Sequence, residues 1–273
     1  MTRALRRSVL FLPASNARMI EKARGLDCDV VALDLEDAVA PEHKNKAREN
    51  ACAALAEFKP REVVVRINGR DTPWHDADLA ALTQARPDAI VVPKVRNADD
   101  IEIVAAKTGD LPLWAMIESP AAVVNLGEIA PNVAALVLGA NDLLKEMGAR
   151  HRADRANLAY VMSAMVLIAR AHGITALDSV HNAIADEAGL ALACIQARDF
   201  GFDGKTLIHP SQIRVCHDAF MPSPTEIAAA QKVLAAFAAT PDKGALSVDG
   251  KMVERLDAEI AARTLAMADR GKP

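Results

Sequence analysis

The sequence contains few aromatic residues and lacks the motifs of several common protein classes. Aromatic side chains are only 3% of its 273 residues, which argues against the base-stacking surfaces that bind single-stranded nucleic acid. The net charge is −4, with both signs mixed along the chain, so we expect neither nucleic acid nor a membrane as a partner. No GxGxxG segment follows the first predicted strand, and no GxSxG segment surrounds Ser179. These absences argue against a dinucleotide-binding fold and a serine hydrolase.

Signals for export and for disulfide bonds are weak as well. No apolar stretch approaches the roughly 20 residues of a membrane span, and Pro13, Ser15 and Asn16 interrupt the apolar start of the chain. We therefore expect no signal peptide. The four cysteines form no CxxC pair, which favours reduced thiols over disulfides or a zinc site. Together these features predict a cytoplasmic protein.

The dominant pattern is a short β-branched run followed by an alanine-rich amphipathic stretch. Runs that are apolar almost throughout are typical of strands buried on both faces of a parallel sheet. Eight such runs with helices between them predict a (β/α)8 TIM barrel, and an open doubly wound sheet is the alternative. The predicted strands are Val9–Leu12, Val30–Leu33, Val63–Ile67, Ala89–Val92, Leu113–Ile117, Ala135–Leu138, Ile174–Leu177 and Thr206–Ile208.

Helical periodicity fills the segments between the strands and continues into the tail. Residues 1–222 are predicted to form the barrel domain, and residues 223–273 a helical, lid-like extension of the same domain. An alanine-rich tail is suited to packing against a second subunit, so we expect a homo-oligomer. The predicted helices are Asn16–Arg24, Lys44–Glu57, Asp154–His172, Asp186–Phe200 and Glu226–Ala239, followed by a last segment, Ala245–Asp269.

Two of the predicted strands lead into carboxylates. The run Trp114–Ile117 is followed by Glu118, and the next strand is followed by Gly139, Ala140 and, shortly after, Asp142. The carboxyl ends of parallel barrel strands meet at one rim, where functional groups lie. Two carboxylates close together repel unless a cation or a proton intervenes, so we predict that both bind Mg²⁺, which prefers oxygen ligands. The two small residues would let a backbone N–H approach a bound anion, which makes them, together with Glu118, candidate substrate-binding residues.

Other charged residues follow neighbouring strands. Arg66 ends a buried run, where a substrate carboxylate is a natural partner for it; a structural salt bridge to Glu36 or Asp37 is the alternative. Lys94 follows the fourth strand, and we expect an ion pair there rather than a Schiff base, because nearby carboxylates keep an ammonium protonated. Asp178 at the end of the seventh strand is a further polar residue expected at this rim.

Segments spread over most of the chain resemble the citrate lyase β-subunit (CitE-like) group of the HpcH/HpaI aldolase superfamily. Their order and spacing agree from Ser8 to about Pro222. The segments are SVLFLPASNARMIEKA (8–23), LDLEDAV (33–39), VRINGRDTPW (65–74), VPKV (92–95), IESP (117–120), LGANDL (138–143), LDSV (177–180) and GFDGKTLIHPSQI (201–213).

The resemblance implies a lyase that binds Mg²⁺ and cleaves or forms a carbon–carbon bond. Its substrate would be a 3-hydroxy-3-carboxy acyl thioester, such as a malyl-, citramalyl- or citryl-thioester of CoA or of a carrier protein. The products would be an oxo acid and an acyl thioester. The resemblance implies Glu118 and Asp142 as metal ligands, Arg66 as the clamp for the oxo-acid carboxylate, and Arg18 and Lys22 as candidates for contact with the phosphates of the thioester carrier. It also implies a trimer or a hexamer.

The chain departs from this family at a C-terminal motif. Relatives that act on CoA thioesters often carry an aspartate in a lid motif resembling GKMVD, which is thought to reach the active site of a neighbouring subunit. This chain has GKMVE at residues 250–254, and glutamate is one methylene longer than aspartate. We predict that Glu254 serves as the base that takes the substrate's hydroxyl proton; a solvated helix charge is the alternative.

Three other functions remain open on the sequence. The protein could be the carrier-dependent citryl lyase subunit of a citrate lyase complex, which performs the same chemistry with a different partner. It could be a free-acid aldolase that acts on hydroxy-oxo acids. It could also be a non-catalytic regulatory barrel, although Arg66, Glu118 and Asp142 argue against this, because a scaffold has no need for a costly acidic cluster.

Overall fold

Eight parallel strands close into a barrel in chain order, and the last strand pairs with the first. The structure is a computed structural model that describes residues 5–270. The predicted (β/α)8 barrel is confirmed, and a closed sheet excludes the doubly wound alternative. The barrel strands are β1 (Ser8–Pro13), β2 (Val30–Asp34), β3 (Glu62–Arg66), β4 (Ala89–Val92), β5 (Leu113–Ile117), β6 (Ala135–Leu138), β7 (Thr175–Asp178) and β8 (Gly204–Leu207).

Helices alternate with the barrel strands and continue along the chain after the last of them. Several begin at side-chain caps: Asn16, Asn97, Ser119 and Asp186 each accept a backbone N–H from the first turn, which satisfies donors that a helix start leaves free. The helices are α1 (Ala17–Ala23), α2 (Lys44–Ala54), α3 (His75–Ala85), α4 (Ala98–Thr108), α5 (Pro120–Val124), α6 (Leu126–Ile129), α7 (Ala140–Glu146), α8 (Ala159–Ala171), α9 (Glu187–Phe200), α10 (Gln212–Phe220), α11 (Pro224–Ala239) and α12 (Arg255–Arg270).

The alternation of side chains along the strands explains why charged residues enter the barrel. Ala32 of β2 and Met116 of β5 belong to the apolar interior core. Successive strand residues point to opposite faces, so the next inward positions, two residues further on, are Asp34 and Glu118. Arg66 of β3 follows the same rule two residues after a core valine. These charged side chains therefore lie at the mouth of the barrel.

Asp178 has the opposite orientation, which corrects the expectation that it lies at the rim. Its neighbour Leu177 belongs to the interior core, so Asp178 lies on the outer face of the sheet. There it accepts a hydrogen bond from Lys205 Nζ at 2.6 Å and two from Arg155 Nη1 at 2.8 and 2.7 Å. Arg155 Nη2 also donates to the carbonyl of Ala193 on α9. Asp178 thus joins the sheet to its helix layer.

The chain divides into two compact units after His217. The second unit contains α11 and α12 and an antiparallel pair of strands, β9 (Ala245–Val248) and β10 (Lys251–Glu254). The extension is therefore helical in two segments and contains a hairpin that the sequence analysis did not predict. Positive φ angles at Asp249 (49°) and Gly250 (79°) form its turn, as in the turns that suit two-residue hairpins. That residues 1–222 form one domain with residues 223–273 as its extension stays a prediction.

Candidate active site

A cavity of about 370 Å³ opens at the carboxyl ends of the barrel strands. Arg66, Glu118 and Asp142 line it together with Gly139 and Ala140. The fold thus brings together five residues that the sequence analysis selected from three separate βα units. Glu118 is only 1% exposed, whereas the Asp142 side chain, in the first turn of α7, is 34% exposed. Their roles in chemistry stay predictions.

Glu118 has one oxygen fixed by the protein and one oxygen bare. Its Oε1 accepts the backbone N–H of Lys94 at 2.6 Å. Its Oε2 is buried and accepts no hydrogen bond from any residue that the structure describes. Burial raises the pKa of the Glu118 carboxyl, and the Lys94 ammonium only partly offsets that effect. A buried acceptor without a partner requires an explanation, and a cation bound at Oε2 provides one.

Gly139 supplies the space in which Glu118 lies. A Cβ atom built on Gly139 would be 2.4 Å from Glu118 Cβ and 2.7 Å from Glu118 Oε2. The φ angle of Gly139 is −100°, a value that other residues adopt readily. The requirement for glycine at this position is therefore one of close approach rather than of backbone conformation.

The donor set fits a hard divalent cation. The bare Glu118 oxygen and the partly open Asp142 carboxylate are the oxygen ligands that Mg²⁺ takes, usually one or two carboxylates with several waters. Within residues 5–270, no three histidine, cysteine, aspartate or glutamate side chains form a complete metal-binding group. Magnesium at this site would therefore keep coordination positions for water or substrate.

Arg66 is held mainly by Asp34, one of the three carboxylates that the sequence places at the end of β2. Arg66 Nε and Nη2 each donate to one oxygen of Asp34 at 2.7 Å. Its Nη1 lies 3.1 Å from Glu36 Oε2 and 3.6 Å from Asp37 Oδ2, so the expected salt bridge is present as well. Burial opposes the charged form, but Asp34 and then Glu36 outweigh it and raise the pKa of Arg66. Because Arg66 also lines the cavity, its predicted contact with a substrate carboxylate stays open.

The loop after β2 is fixed by Asp34 and by Lys44, of which only Asp34 lies in a family segment. Asp34 accepts the backbone N–H groups of Glu36 and Ala38 at 2.9 and 3.1 Å. Lys44, which is 6% exposed, donates from Nζ to the carbonyls of Leu35 and Glu36 at 2.8 and 2.7 Å. Sequence reasoning missed Lys44, since a lysine at a helix start looks like any surface charge. Lys44 thus fixes the backbone of the loop at Leu35 and Glu36.

Lys94 forms the ion pairs that the sequence predicted. Its Nζ lies 2.9 Å from Asp142 Oδ2, 3.5 Å from Glu118 Oε1 and 4.0 Å from Glu36 Oε1. Burial opposes the charge of Lys94, but Glu118, Asp142 and Glu36 outweigh it and raise the pKa of the ammonium. For Glu36, by contrast, burial dominates over Arg66 and raises the pKa to about 8.

Three predicted residues lie elsewhere. Arg18 and Lys22 are exposed and stand one turn apart on α1, and the described lining of the cavity includes neither of them. Glu254 is exposed at the end of β10 in the second unit, where its backbone N–H donates to Asp257 Oδ2 at 2.7 Å. Glu254 thus ends a strand directly before α12 (Arg255–Arg270) rather than lying inside a helix, and both its role as a base and the alternative of a solvated charge stay predictions.

The fold and this rim define an α/β-barrel protein with a candidate active site at the carboxyl ends of its strands. The sequence profile of the HpcH/HpaI aldolase/citrate lyase family matches residues 7–210. The chain belongs to this family, as the resemblance of its segments indicated. Among the described residues, no helix is long and apolar enough to cross a membrane.

Curated relatives and solved structures cover nearly the whole chain. A (3S)-malyl-CoA thioesterase of Cereibacter sphaeroides strain KD131 is 48% identical, over 96% of this chain and 94% of the relative. Citrate lyase subunit beta of Leuconostoc mesenteroides subsp. cremoris is 34% identical, over 97% and 94%. CitE of Mycobacterium tuberculosis, crystallised with magnesium, acetoacetate and coenzyme A, is 33% identical with a TM-score of 0.86, over 98% and 100%. The family is thus enzymatic, and the magnesium in the solved CitE structure supports the expected cofactor.

Proposed function

We propose that the protein is a Mg²⁺-dependent lyase that cleaves or forms a malyl-type CoA thioester. The observation that carries this proposal is the meeting of Arg66, Glu118 and Asp142 in one cavity. An anion clamp beside two metal-binding carboxylates suits a substrate with a carboxylate next to a hydroxyl group. The magnesium, keto acid and coenzyme A bound to the similar CitE support the same substrate class.

Each residue of the cavity has a distinct task in this proposal. Bound Mg²⁺ would lower the pKa of the substrate hydroxyl and stabilise negative charge on the oxo acid. Glu118 and Asp142 hold the metal. The Lys94 N–H fixes Glu118, and the missing side chain of Gly139 leaves room for it. Arg66 orients the carboxylate through Nη1, which it shares with Glu36 at 3.1 Å, since its Nε and Nη2 each donate to Asp34. Fixed orientation of this kind lowers the entropic part of the barrier.

The proposal is tested by removing one carboxylate at a time. Glu118→Gln and Asp142→Asn are expected to lose Mg²⁺ affinity and malyl-CoA turnover while they keep the far-ultraviolet circular dichroism of the parent. Glu128→Gln, a change at an exposed glutamate of α6, is the matched control and should retain both. Full turnover by chelator-treated Asp142→Asn would refute the metal role.

A second candidate is hydrolysis of the same thioester, favoured by the 48% identity to a malyl-CoA thioesterase. Both reactions need the same carboxylate and hydroxyl contacts, and they differ in which bond breaks. Cleavage of the carbon–carbon bond gives glyoxylate and acetyl-CoA, whereas hydrolysis gives malate and free CoA. Chromatography of the products from malyl-CoA distinguishes the two, because only hydrolysis releases a thiol.

The proton carrier and the thioester contacts complete the proposal. We assign the base to Glu254 of a second subunit in a homo-oligomer, and the carrier's phosphates to Arg18 and Lys22. Glu254→Gln should slow turnover more than Glu254→Asp, which keeps a carboxylate; parent rates in both variants would exclude this base. Loss of either α1 cation should raise KM for the CoA thioester and leave kcat unchanged.

A further inference from the structure

The ammonium of Lys94 lies where a cation shared by the two candidate metal ligands would bind. Its Nζ is within 3.5 Å of both Glu118 and Asp142, and Glu36 lies 4.0 Å away on a third side. Three acidic side chains thus surround one ammonium, which can offset only part of their negative charge. A divalent cation bound to the same two carboxylates would stand within a few ångströms of Nζ, at a distance where like charges repel strongly.

The backbone at Lys94 fixes this arrangement. The φ angle of Lys94 is +54°, in the left-handed region that residues with a Cβ rarely adopt. This conformation turns the Lys94 N–H onto Glu118 Oε1 at 2.6 Å and sends the side chain across the same carboxylate. One residue thus contacts Glu118 through both its backbone and its ammonium.

A second cavity gives the side chain room to move. It has a volume of about 490 Å³ and is lined by Lys94 and Glu118 together with Glu36, Asp71 and Glu146. Lys94 is 38% exposed, so its long side chain can rotate into this space without leaving the reach of acidic groups. The second cavity is also lined by Lys44, Arg70 and Arg96, so it offers the ammonium a mixed set of charges rather than the purely acidic contacts of the first site.

We propose that Lys94 is a tethered counter-cation of the metal site, which offsets part of the charge of Glu118 and Asp142 until Mg²⁺ takes its place and releases it into the second cavity. This inference rests on the proposed metal site. It makes Lys94 a positioning residue that sets the metal affinity and keeps the two carboxylates together when no metal is bound. Binding of Mg²⁺ and release of the Lys94 ammonium at the rim of the barrel are then coupled.

Calorimetric titration of Mg²⁺ tests the competition. Lys94→Met removes the charge but keeps a long side chain, and it should bind Mg²⁺ about ten-fold or more tightly than the parent, because one nearby like charge is gone. In chelator its thermal midpoint should fall, since Glu118 and Asp142 lose their counter-cation, and Mg²⁺ should restore it. Lys107→Met, which removes an exposed ammonium paired with Asp76, should change neither quantity.

Chemical labelling of the unmodified chain tests the release itself. With an amine-reactive reagent and mass spectrometry, Lys94 should react faster in Mg²⁺ than in chelator, while Lys107 reacts equally in both. Equal Lys94 reactivity, or equal Mg²⁺ affinity of parent and Lys94→Met, would overturn the inference and leave the metal site standing. A parent that binds no Mg²⁺ at all would instead overturn the proposed function and this inference with it.

Discussion

Replacement of Gly139 by alanine should damage the candidate site by a single methyl group. The added Cβ would lie 2.4 Å from Glu118 Cβ, 2.7 Å from Glu118 Oε2 and 3.3 Å from Met116 Cε. The first contact is with an atom fixed to the backbone of its strand, so a rotamer change cannot relieve it. Overpacking of this kind typically costs about 1–3 kcal/mol. We therefore expect Gly139→Ala to lower the free energy of unfolding by that amount and to weaken Mg²⁺ binding, because Glu118 must move.

Urea unfolding and calorimetric titration of Mg²⁺ measure the two effects separately. Gly127→Ala is the matched control, because a Cβ there meets nothing within 4 Å and the residue lies in helix α6. Alanine is favoured over glycine in a helix by up to about 1 kcal/mol, so this variant should be as stable as the parent or more stable. The steric account of the site would be wrong if Gly139→Ala unfolded at the urea concentration of the parent and bound Mg²⁺ equally well.

Two buried carboxylates give further predictions. Asp34→Asn should lower the free energy of unfolding by about 3–5 kcal/mol, because the buried Arg66 loses the charge of the carboxylate that accepts two of its hydrogen bonds. Thermal melts check this, and a midpoint equal to that of the parent would contradict it. Asp178→Asn should lower stability by a similar amount, because Lys205 and Arg155 lose their shared counter-ion. Burial opposes ionisation of Asp178, but these two cations outweigh it and lower its pKa. Its contribution is therefore complete above about pH 4, the ordinary aspartate pKa, and is lost as the pH falls further. The stability difference from the parent should shrink in urea melts at acid pH, and a constant difference would argue against this ion-pair cluster.

The barrel could be predicted because its strands are buried on both faces. A short, continuously apolar run is typical of a strand in a parallel sheet. The observed bounds of β4, β5 and β6 agree with the predicted ones to the residue. The hairpin of the second unit was missed for the opposite reason. Its strands are largely exposed, so no hydrophobic period marks them, and only the turn at Asp249 and Gly250 carried a signal.

Site residues that directly follow a barrel strand could be predicted from the sequence. The direction in which a side chain at a strand end points could not. Glu118 and Arg66 were found because polar groups after buried strands meet at one rim. The same rule misplaced Asp178. Successive side chains of a strand point to opposite faces, and the rule does not consider which face a residue at the strand end occupies. Glu118 lies two residues after the core residue Met116 and therefore points inward. Asp178 lies only one residue after the core residue Leu177 and therefore points outward.

Lys94 shows which part of a site sequence patterns leave undetermined. Its position after a strand predicted an ion pair, and three carboxylates were available as partners. The choice among them follows from a left-handed backbone at Lys94, which no propensity assigns to a lysine after a proline. That conformation lets Glu118 receive one hydrogen bond from the backbone while the ammonium bridges to Asp142. In the proposed site, a displaceable cation would keep the buried Glu118 and the half-buried Asp142 close when no metal is bound, so the site would need the lysine as much as the acids.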